Sequence, residues 1–136
     1  MNGVNLLSSS THVTSLSQSD AQRFAVAWIA AWNSHDLDRI LSFYDGSVRF
    51  SSPTLNTLLP TTHGELQGVS ALRAYWQQAL SLKPDLHFEL IRVMAGIRRC
   101  VVHYRSNVSP YCAETFEFNR RGRVVASHAH VDTSKT

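Results

Sequence analysis

The second half of the chain constrains the fold most, because residues 86–131 hold four segments in which apolar and polar side chains alternate. Gly96, Pro110 and Gly122 lie in the three breaks between these segments. A period of two is typical of strands that are buried on one face only. The sequence therefore predicts four consecutive antiparallel strands, over residues 86–95, 99–108, 111–119 and 123–131.

The first half of the chain has helical patterns. Apolar residues recur at three- and four-residue spacing from Ser17 to Asn33, and Asp20 follows Ser17 as in a capping box. Asp36 is a good N-cap for a short second helix, and a third helix is expected over residues 69–82. Helices first and strands last predict an α+β fold with a mainly antiparallel sheet.

Between the second and third helices, residues 47–52 alternate as a short strand that Pro53 is expected to end. Residues 53–67 contain two prolines and several threonines and show no period. The sequence predicts a long irregular loop there, and such loops are either functional lids or tolerated insertions.

Length and composition limit the class of protein. The 136 residues suit one domain, 43% of them are hydrophobic, and a net charge of +3 is too small for a dedicated nucleic-acid binder. Residues 1–16 are rich in Ser, Thr and Asn and are expected to be a disordered tail, leaving residues 17–136 as a single domain. Neither a signal peptide nor a membrane-length apolar run is visible. We expect a cytoplasmic protein with no nucleic-acid or membrane partner.

Three segments carry a resemblance to a known family. They read W-I-A-A-W-N-S-H-D-L-D from Trp28, G-V-S-A-L-R-A-Y-W from Gly68 and E-T-F-E-F-N from Glu114. Their order and spacing over residues 20–131 resemble the nuclear transport factor two-like superfamily, in its SnoaL-like and ketosteroid isomerase-like branch. The resemblance implies a cone-shaped α+β fold. Three helices would pack on a strongly curved, mainly antiparallel sheet and enclose a pocket.

The resemblance and the alternation together predict which side chains point into that pocket. Glu114 is the catalytic candidate, and the expected pocket walls are Trp28, Trp32, Tyr44, Phe50, Ser52, Trp76, Val102, Tyr104, Phe116 and Ser127. On the last strand, Ala129 and Val131 would point inward together with Ser127.

Only one of three polar roles of the related isomerases is retained. Their carboxylate base matches Ser52, their oxyanion-hole phenol matches Trp28, and their protonated second acid matches Glu114. Serine is too weak a base to remove a carbon-bound proton unaided. Glu114 alternates in phase with Phe116 and Phe118, so burial should raise its pKa and fit it to act as acid, donor or base. It could instead pair with an arginine or a tyrosine hydroxyl, or reach solvent.

Two classes of function follow. The first is a small-molecule pocket protein that binds an apolar or cyclic ligand without a cofactor. The alternative is an isomerase, cyclase or dehydratase in which Glu114 transfers a proton on a carbonyl compound. A third hypothesis is a dimeric accessory domain with a filled cavity.

Histidines mark the opposite side of the predicted sheet. His128 and His130 share a strand face, and His103 faces the same way on another strand. No third ligand lies at a diagnostic spacing, so we expect no metal. The resemblance implies a homodimer through this convex face. Related cyclases carry a histidine and an acid near the end of the final strand, but the spacing from His128 to Asp132 does not match theirs cleanly.

The two cysteines form no metal-binding motif. Cys100 and Cys112 fall on predicted strands, where a thiol is usually an inert core group. A disulfide between them would require an oxidising compartment.

Overall fold

The computed structural model describes residues 16–134, and the three helices that the sequence predicts begin where expected. Ser17 accepts a hydrogen bond from the Asp20 N–H, and Asp36 accepts one from the Arg39 N–H, so both expected caps are confirmed. The helices are α1 (Gln18–Ser34), α2 (Leu37–Leu41), α3 (Pro53–Leu58) and α4 (Val69–Leu82), and a single 3-10 turn covers Pro60–Thr62.

Six strands form one sheet in the order β2-β1-β6-β5-β4-β3. The β1–β6 pair is parallel and every other neighbouring pair is antiparallel. The predicted α+β fold with a mainly antiparallel sheet is therefore confirmed. The strands are β1 (Tyr44–Ser51), β2 (Glu65–Gln67), β3 (Phe88–Ala95), β4 (Arg99–Ser106), β5 (Cys112–Phe118) and β6 (Val124–Val131).

Residues 53–67 correct the sequence analysis, which predicted an irregular loop there. Pro53 ends β1 but also begins α3, because proline at the first helical position forfeits no helical hydrogen bond. Leu55 of α3 is fully buried. After the 3-10 turn, β2 pairs with β1, with Leu66 opposite Phe50. The described chain thus has four α-helices instead of three, and its sheet has six strands.

Helices α1 and α4 cover one side of the sheet, which we call the inner face. Phe24 of α1 meets Phe116 of β5 with ring centroids 4.8 Å apart, and Trp76 of α4 meets Phe50 of β1 at 5.5 Å. Both pairs are edge-to-face, an arrangement that adds about 0.5–1.5 kcal/mol to the burial of the rings. The inner face is therefore an aromatic layer held between sheet and helices.

A bulge in β6 decides which of its residues reach the inner face. Phe118 of β5 pairs with Val124, whereas Glu117 pairs with Ala126, so Val125 is an extra residue without a partner in β5. The inward phase therefore shifts by one after Val124. The shift places Ser127 on the inner face.

The opposite, outer face of the sheet is more exposed. His128 and His130 are exposed and His103 is half-buried. Arg105 forms a surface ion pair with Glu89 at 3.1 Å. Among residues 16–134, no helix is long and apolar enough to cross a membrane.

The predicted tail of residues 1–16 lies outside the described residues except for Leu16. Leu16 is buried, and its N–H donates to the carbonyl of Gly96 in the β3–β4 turn at 3.0 Å. Leu16, one residue before the α1 cap, is therefore held against the sheet.

Candidate functional site

A cavity of about 320 Å³ lies between the inner face and helices α1 and α4. This volume is at the small end of the range for ligand sites in proteins. Leu82 at the end of α4 and Val108 in the β4–β5 turn line it and are each about 60% exposed, so they form its mouth. The cavity wall is mainly apolar, and its aromatic members are Trp28, Trp32, Phe50, Tyr75, Trp76, Phe88 and Tyr104. Polar side chains also line it, from Ser52, Thr54, Lys83, Ser106 and Ser109.

Helical spacing places two tryptophans on the same wall. Trp28 and Trp32 lie four residues apart on α1, so they share the face that turns toward the sheet. Their rings are 6.4 Å apart, and Trp32 also meets Trp76 of α4 at 5.1 Å. The three indoles thus form one continuous apolar surface.

Glu114 is the one acidic side chain among the described residues that line the cavity, and it is 4% exposed. Its Oε2 accepts a hydrogen bond from the Ser127 hydroxyl at 2.8 Å, and its Oε1 accepts a longer one from the Tyr104 hydroxyl at 3.4 Å. No basic side chain within residues 16–134 forms an ion pair with it. The sequence analysis named an arginine or a tyrosine hydroxyl as a partner for Glu114. In the structure the partners are the hydroxyls of Tyr104 and Ser127.

Burial raises the pKa of Glu114 from its ordinary 4.5 to about 7, and the hydrogen bonds from Ser127 and Tyr104 limit the rise. The neutral and charged forms are therefore both populated near neutral pH. The neutral acid can donate a hydrogen bond to a ligand oxygen, and the carboxylate can accept a proton.

The buried phenols near Glu114 remain protonated. Burial raises the pKa of Tyr104 and of Tyr44 well above the ordinary value of a phenol, and the charge of Glu114 raises both further. Tyr44 accepts a hydrogen bond from Trp28 Nε1 at 3.0 Å. Trp28 matches the position of the isomerase phenol, and its indole N–H is therefore already hydrogen-bonded to another residue of the protein.

Ser52, which matches the position of the isomerase base, has a structural role. Its hydroxyl accepts hydrogen bonds from the N–H groups of Thr54 and Leu55 and caps α3. A hydroxyl that already accepts two backbone hydrogen bonds is a still poorer base.

Seven of the eleven predicted site residues line the cavity and four do not. Tyr44 and Phe116 are covered by the Trp28 side chain, which donates to the first and packs on the ring of the second at 5.1 Å. Val102 is fully buried, and Ser127 contacts Glu114 from behind. The residues that line the cavity are Trp28, Trp32, Phe50, Ser52, Trp76, Tyr104 and Glu114; those behind it are Tyr44, Val102, Phe116 and Ser127.

Sequence reasoning missed several wall residues. Cys112 precedes Glu114 by two residues and so faces inward with it, a signal that was available. Phe88 opens β3, and its ring lies 4.7 Å from that of Tyr104. Tyr75 is buried beside Trp76, which shows that α4 has a wider buried face than its period suggested.

The thiols and histidines form no metal site in the described chain. Cys100 and Cys112 are both free. Cys100 on β4 pairs with Phe116 of β5, and Phe116 lies four residues along β5 from Cys112. Burial raises the pKa of Cys100 to about 12, so its thiol is inert. Residues 16–134 contain no group of three or more His, Cys, Asp or Glu side chains placed to hold a metal ion.

The profile of the SnoaL-like domain matches residues 25–133. A SnoaL-like protein of unknown function from Burkholderia thailandensis is 41% identical to this chain. Its structure superimposes with a TM-score of 0.82, covering 85% of this chain and 97% of the other. The protein therefore belongs to the SnoaL-like family. No curated protein matches the sequence.

More distant structures share the fold alone. A provisionally assigned ketosteroid isomerase from Kribbella flavida is 14% identical with a TM-score of 0.66, covering 88% of this chain and 82% of the other. SalBIII, an epoxide hydrolase/cyclase-like enzyme of pyran ring formation in the polyether salinomycin, is 12% identical with a TM-score of 0.68. It covers 85% of this chain and 92% of its own. The predicted nuclear transport factor two-like, ketosteroid isomerase-like fold is thereby confirmed.

Proposed function

We propose that the protein binds one small, mainly apolar cyclic molecule in the cavity, and that Glu114 holds a carbonyl or hydroxyl oxygen of this ligand. The observation that carries the proposal is a buried carboxyl group, from the one acidic side chain in the described wall, in a mainly apolar cavity. Apolar walls with a few placed polar groups are typical of small-molecule sites. The aromatic surface supplies affinity, and Glu114 selects ligands that carry an oxygen.

The proposal is tested with the bicyclic ketone 2-decalone and its parent hydrocarbon decalin, which differ by one oxygen. We expect 2-decalone to bind more tightly, measured by calorimetry at pH 6. Glu114→Leu replaces the carboxyl group with an apolar side chain and so removes the hydrogen bond. It should weaken 2-decalone binding about tenfold and leave decalin binding intact or tighter. Glu114→Gln keeps a donor and should retain most of the affinity.

The matched control is Glu117→Gln, on the same strand but on the outer face, which should leave the binding of both compounds unchanged. If neither compound binds the wild type, or if Glu114→Leu weakens both equally, Glu114 does not recognise an oxygen in this cavity.

A second candidate function is proton transfer on a bound carbonyl compound, supported by the pKa of about 7 for Glu114. An acid or base is most effective when its pKa lies near the working pH. The neighbours SalBIII and the provisionally assigned isomerase indicate that this fold accommodates enzymes. Incubation of 2-decalone with the protein in D₂O should then exchange its α-hydrogens. Glu114→Gln should abolish that exchange while binding is retained, and exchange at the same rate in the variant would contradict the role.

We also propose that the outer face joins two copies of the chain. The supporting observation is that β4, β5 and β6 present half-buried side chains there, including His103 and Thr115, beside the exposed His128 and His130. A two-fold dimer would place this same face of each copy against the other.

A further inference from the structure

Tyr75 of α4 places a second buried polar group in the cavity wall, and it is 5% exposed. Burial raises the pKa of its phenol to about 12, so the hydroxyl keeps its proton near neutral pH. The neighbouring Ser52 hydroxyl limits this rise, which shows that the two hydroxyls lie close together. Tyr75 is therefore a neutral group with a proton to donate.

Ser52 does not take the proton of Tyr75. The Ser52 oxygen already accepts from the N–H groups of Thr54 and Leu55, at 3.1 and 3.4 Å. A hydroxyl has one proton to donate and two lone pairs with which to accept. Because both lone pairs of Ser52 are occupied, Ser52 can only donate toward Tyr75, and the Tyr75 proton remains available to another acceptor.

The Tyr75 oxygen is open to the cavity, unlike the indole nitrogen of Trp32. Within residues 16–134, Trp32 Nε1 alone is a buried side-chain nitrogen or oxygen that is both sealed from contact and without a hydrogen-bond partner. No hydrogen bond of normal length and angle reaches the Tyr75 oxygen in the same residues, so this oxygen is not sealed. Since Tyr75 is otherwise buried and lines the cavity, its hydroxyl is reached from there.

The sheet places Ser52 and Glu114 at the two ends of one row across the inner face. Ser51 pairs with His128 of β6, so the residues that follow, Ser52 and Ala129, are neighbours on the inner face. Ala129 in turn pairs with Glu114 of β5. Neighbouring strands are about 4.8 Å apart, so the backbones at the two ends of the row are separated by about 10 Å. Only the methyl group of Ala129 stands between them.

The other polar side chains of the wall lie at the mouth or are already bonded. The Ser106 hydroxyl accepts from two backbone N–H groups of the β4–β5 turn, and Ser109 lies in the same turn. Lys83 follows α4 and pairs with Asp85 at 3.0 Å, and Thr54 is exposed. Within the described wall, the polar groups away from the mouth therefore lie at the two ends of the row.

We propose that Tyr75 is a specificity-determining residue whose hydroxyl donates to a ligand oxygen at the Ser52 end of the row, while Glu114 holds a second oxygen at the opposite end. The ligand class is then a cyclic skeleton that lies over Ala129 and carries an acceptor oxygen on each side. Ser52 supports Tyr75, because a proton pointed at the phenol oxygen makes the phenol a stronger donor. This inference rests on the proposed ligand-binding function of the same cavity.

The test compares 2-decalone with decalin-2,6-dione and decalin-2,7-dione, which add an oxygen at either position of the second ring. Wild-type protein should bind the better of the two diones about fivefold more tightly than the ketone, the effect of one hydrogen bond. Tyr75→Phe keeps the ring but lacks the hydroxyl, so this preference should be lost. Tyr111→Phe is the matched control, because Tyr111 is 52% exposed and outside the cavity wall, and it should keep the preference.

A spectroscopic measurement separates a hydrogen bond from a change in packing. In protein labelled with ¹³C at tyrosine Cζ, the Tyr75 resonance is assigned by its loss in Tyr75→Phe. It should shift more when the better dione binds than when decalin binds, because a donated hydrogen bond changes the electron density at the carbon that bears the hydroxyl. Equal shifts with the two compounds would overturn the inference.

The outcomes distinguish this inference from the proposed function. If 2-decalone fails to bind the wild type, the proposed function itself fails. If 2-decalone binds but neither dione binds more tightly, or if Tyr75→Phe preserves the preference, only the role of Tyr75 is overturned.

Discussion

Strand β5 carries two glutamates on opposite faces, and their surroundings differ sharply. Glu114 on the inner face is almost fully buried and bonded to two hydroxyls, and burial raises its pKa to about 7. Glu117 on the outer face is about 30% exposed and pairs with Arg99 at 3.4 Å. The two carboxyls have the same intrinsic chemistry, so the face of the strand decides which becomes a candidate acid.

The same contrast holds for the aromatic residues of the two faces. Phe116 and Phe118, in phase with Glu114, are fully buried under α1, whereas Thr115, between Glu114 and Phe116, is half-buried. The inner face therefore supplies most of the stability and also the cavity. The outer face carries ion pairs that contribute little, since exposed pairs are worth up to about 1 kcal/mol.

The largest effect should come from the inner-face core. Phe116→Ala removes a fully buried ring that packs on Phe24 and Trp28, so it should lower the free energy of unfolding by about 3–5 kcal/mol. Thr115→Ala, the outer-face control next to it, should cost less than about 1 kcal/mol. Urea denaturation measures both, and similar losses would contradict the assignment of the two faces.

The next effect is a pH dependence that only the inner glutamate should produce. Between pH 4.5 and about 7 the folded carboxyl of Glu114 keeps its proton while the unfolded one loses it. The folded state therefore binds more protons, and stability falls as pH rises through this window, by about 3 kcal/mol. Above pH 7 the loss is complete.

Glu114→Gln should remove this fall and make the protein more stable than the wild type at pH 8, whereas Glu117→Gln should leave it in place. Urea titrations at pH 5 and pH 8 measure the difference. A wild-type protein that is equally stable at both pH values, with the same result in Glu114→Gln, would refute the buried neutral acid.

A smaller effect ranks the two hydroxyls that hold Glu114. The Ser127 bond is 2.8 Å long and the Tyr104 bond 3.4 Å. Because both lower the pKa of Glu114, Ser127→Ala should raise this pKa by up to about one unit, and Tyr104→Phe by less. Carboxyl ¹³C NMR titration gives these values, and the reverse ranking would show that the tyrosine is the closer partner in solution.

The last prediction concerns the outer face. If two copies join there, sedimentation should give a dimer near neutral pH, and His128→Glu/His130→Glu should shift it toward monomer because four like charges would meet at the contact. Gln77→Glu on the exposed side of α4, away from the sheet, is the control. A wild-type monomer at high micromolar concentration would remove the proposal.

The regular parts of the fold followed from periodicity. Alternation located the four C-terminal strands to within two residues at each end, and the spacing of Leu72 and Trp76 located α4. The position of Glu114 on the inner face could also be predicted, since it shares the phase of Phe116. These features depend on local patterns that tertiary contacts reinforce.

Other features depended on rules that a period cannot show. Pro53 ends a strand, but Ser52 followed by proline is also the start signal of a helix, and alternation alone shows only the first role. Which inward residues line the cavity depends on ring packing: Trp28 covers Phe116, and nothing local to Phe116 indicates this. The unpartnered N–H of Trp32 likewise becomes visible only once its neighbours are placed.

The most direct test of the account is the pH dependence of 2-decalone binding in the wild type and in Glu114→Gln. If the neutral Glu114 donates to the ligand oxygen, wild-type affinity should fall about tenfold or more between pH 5.5 and pH 8.5, with its midpoint near the pKa of about 7. The variant should bind with an affinity that does not change over this range. Wild-type binding that is independent of pH, or that strengthens as pH rises, would contradict the claim that a buried neutral carboxyl group recognises the ligand.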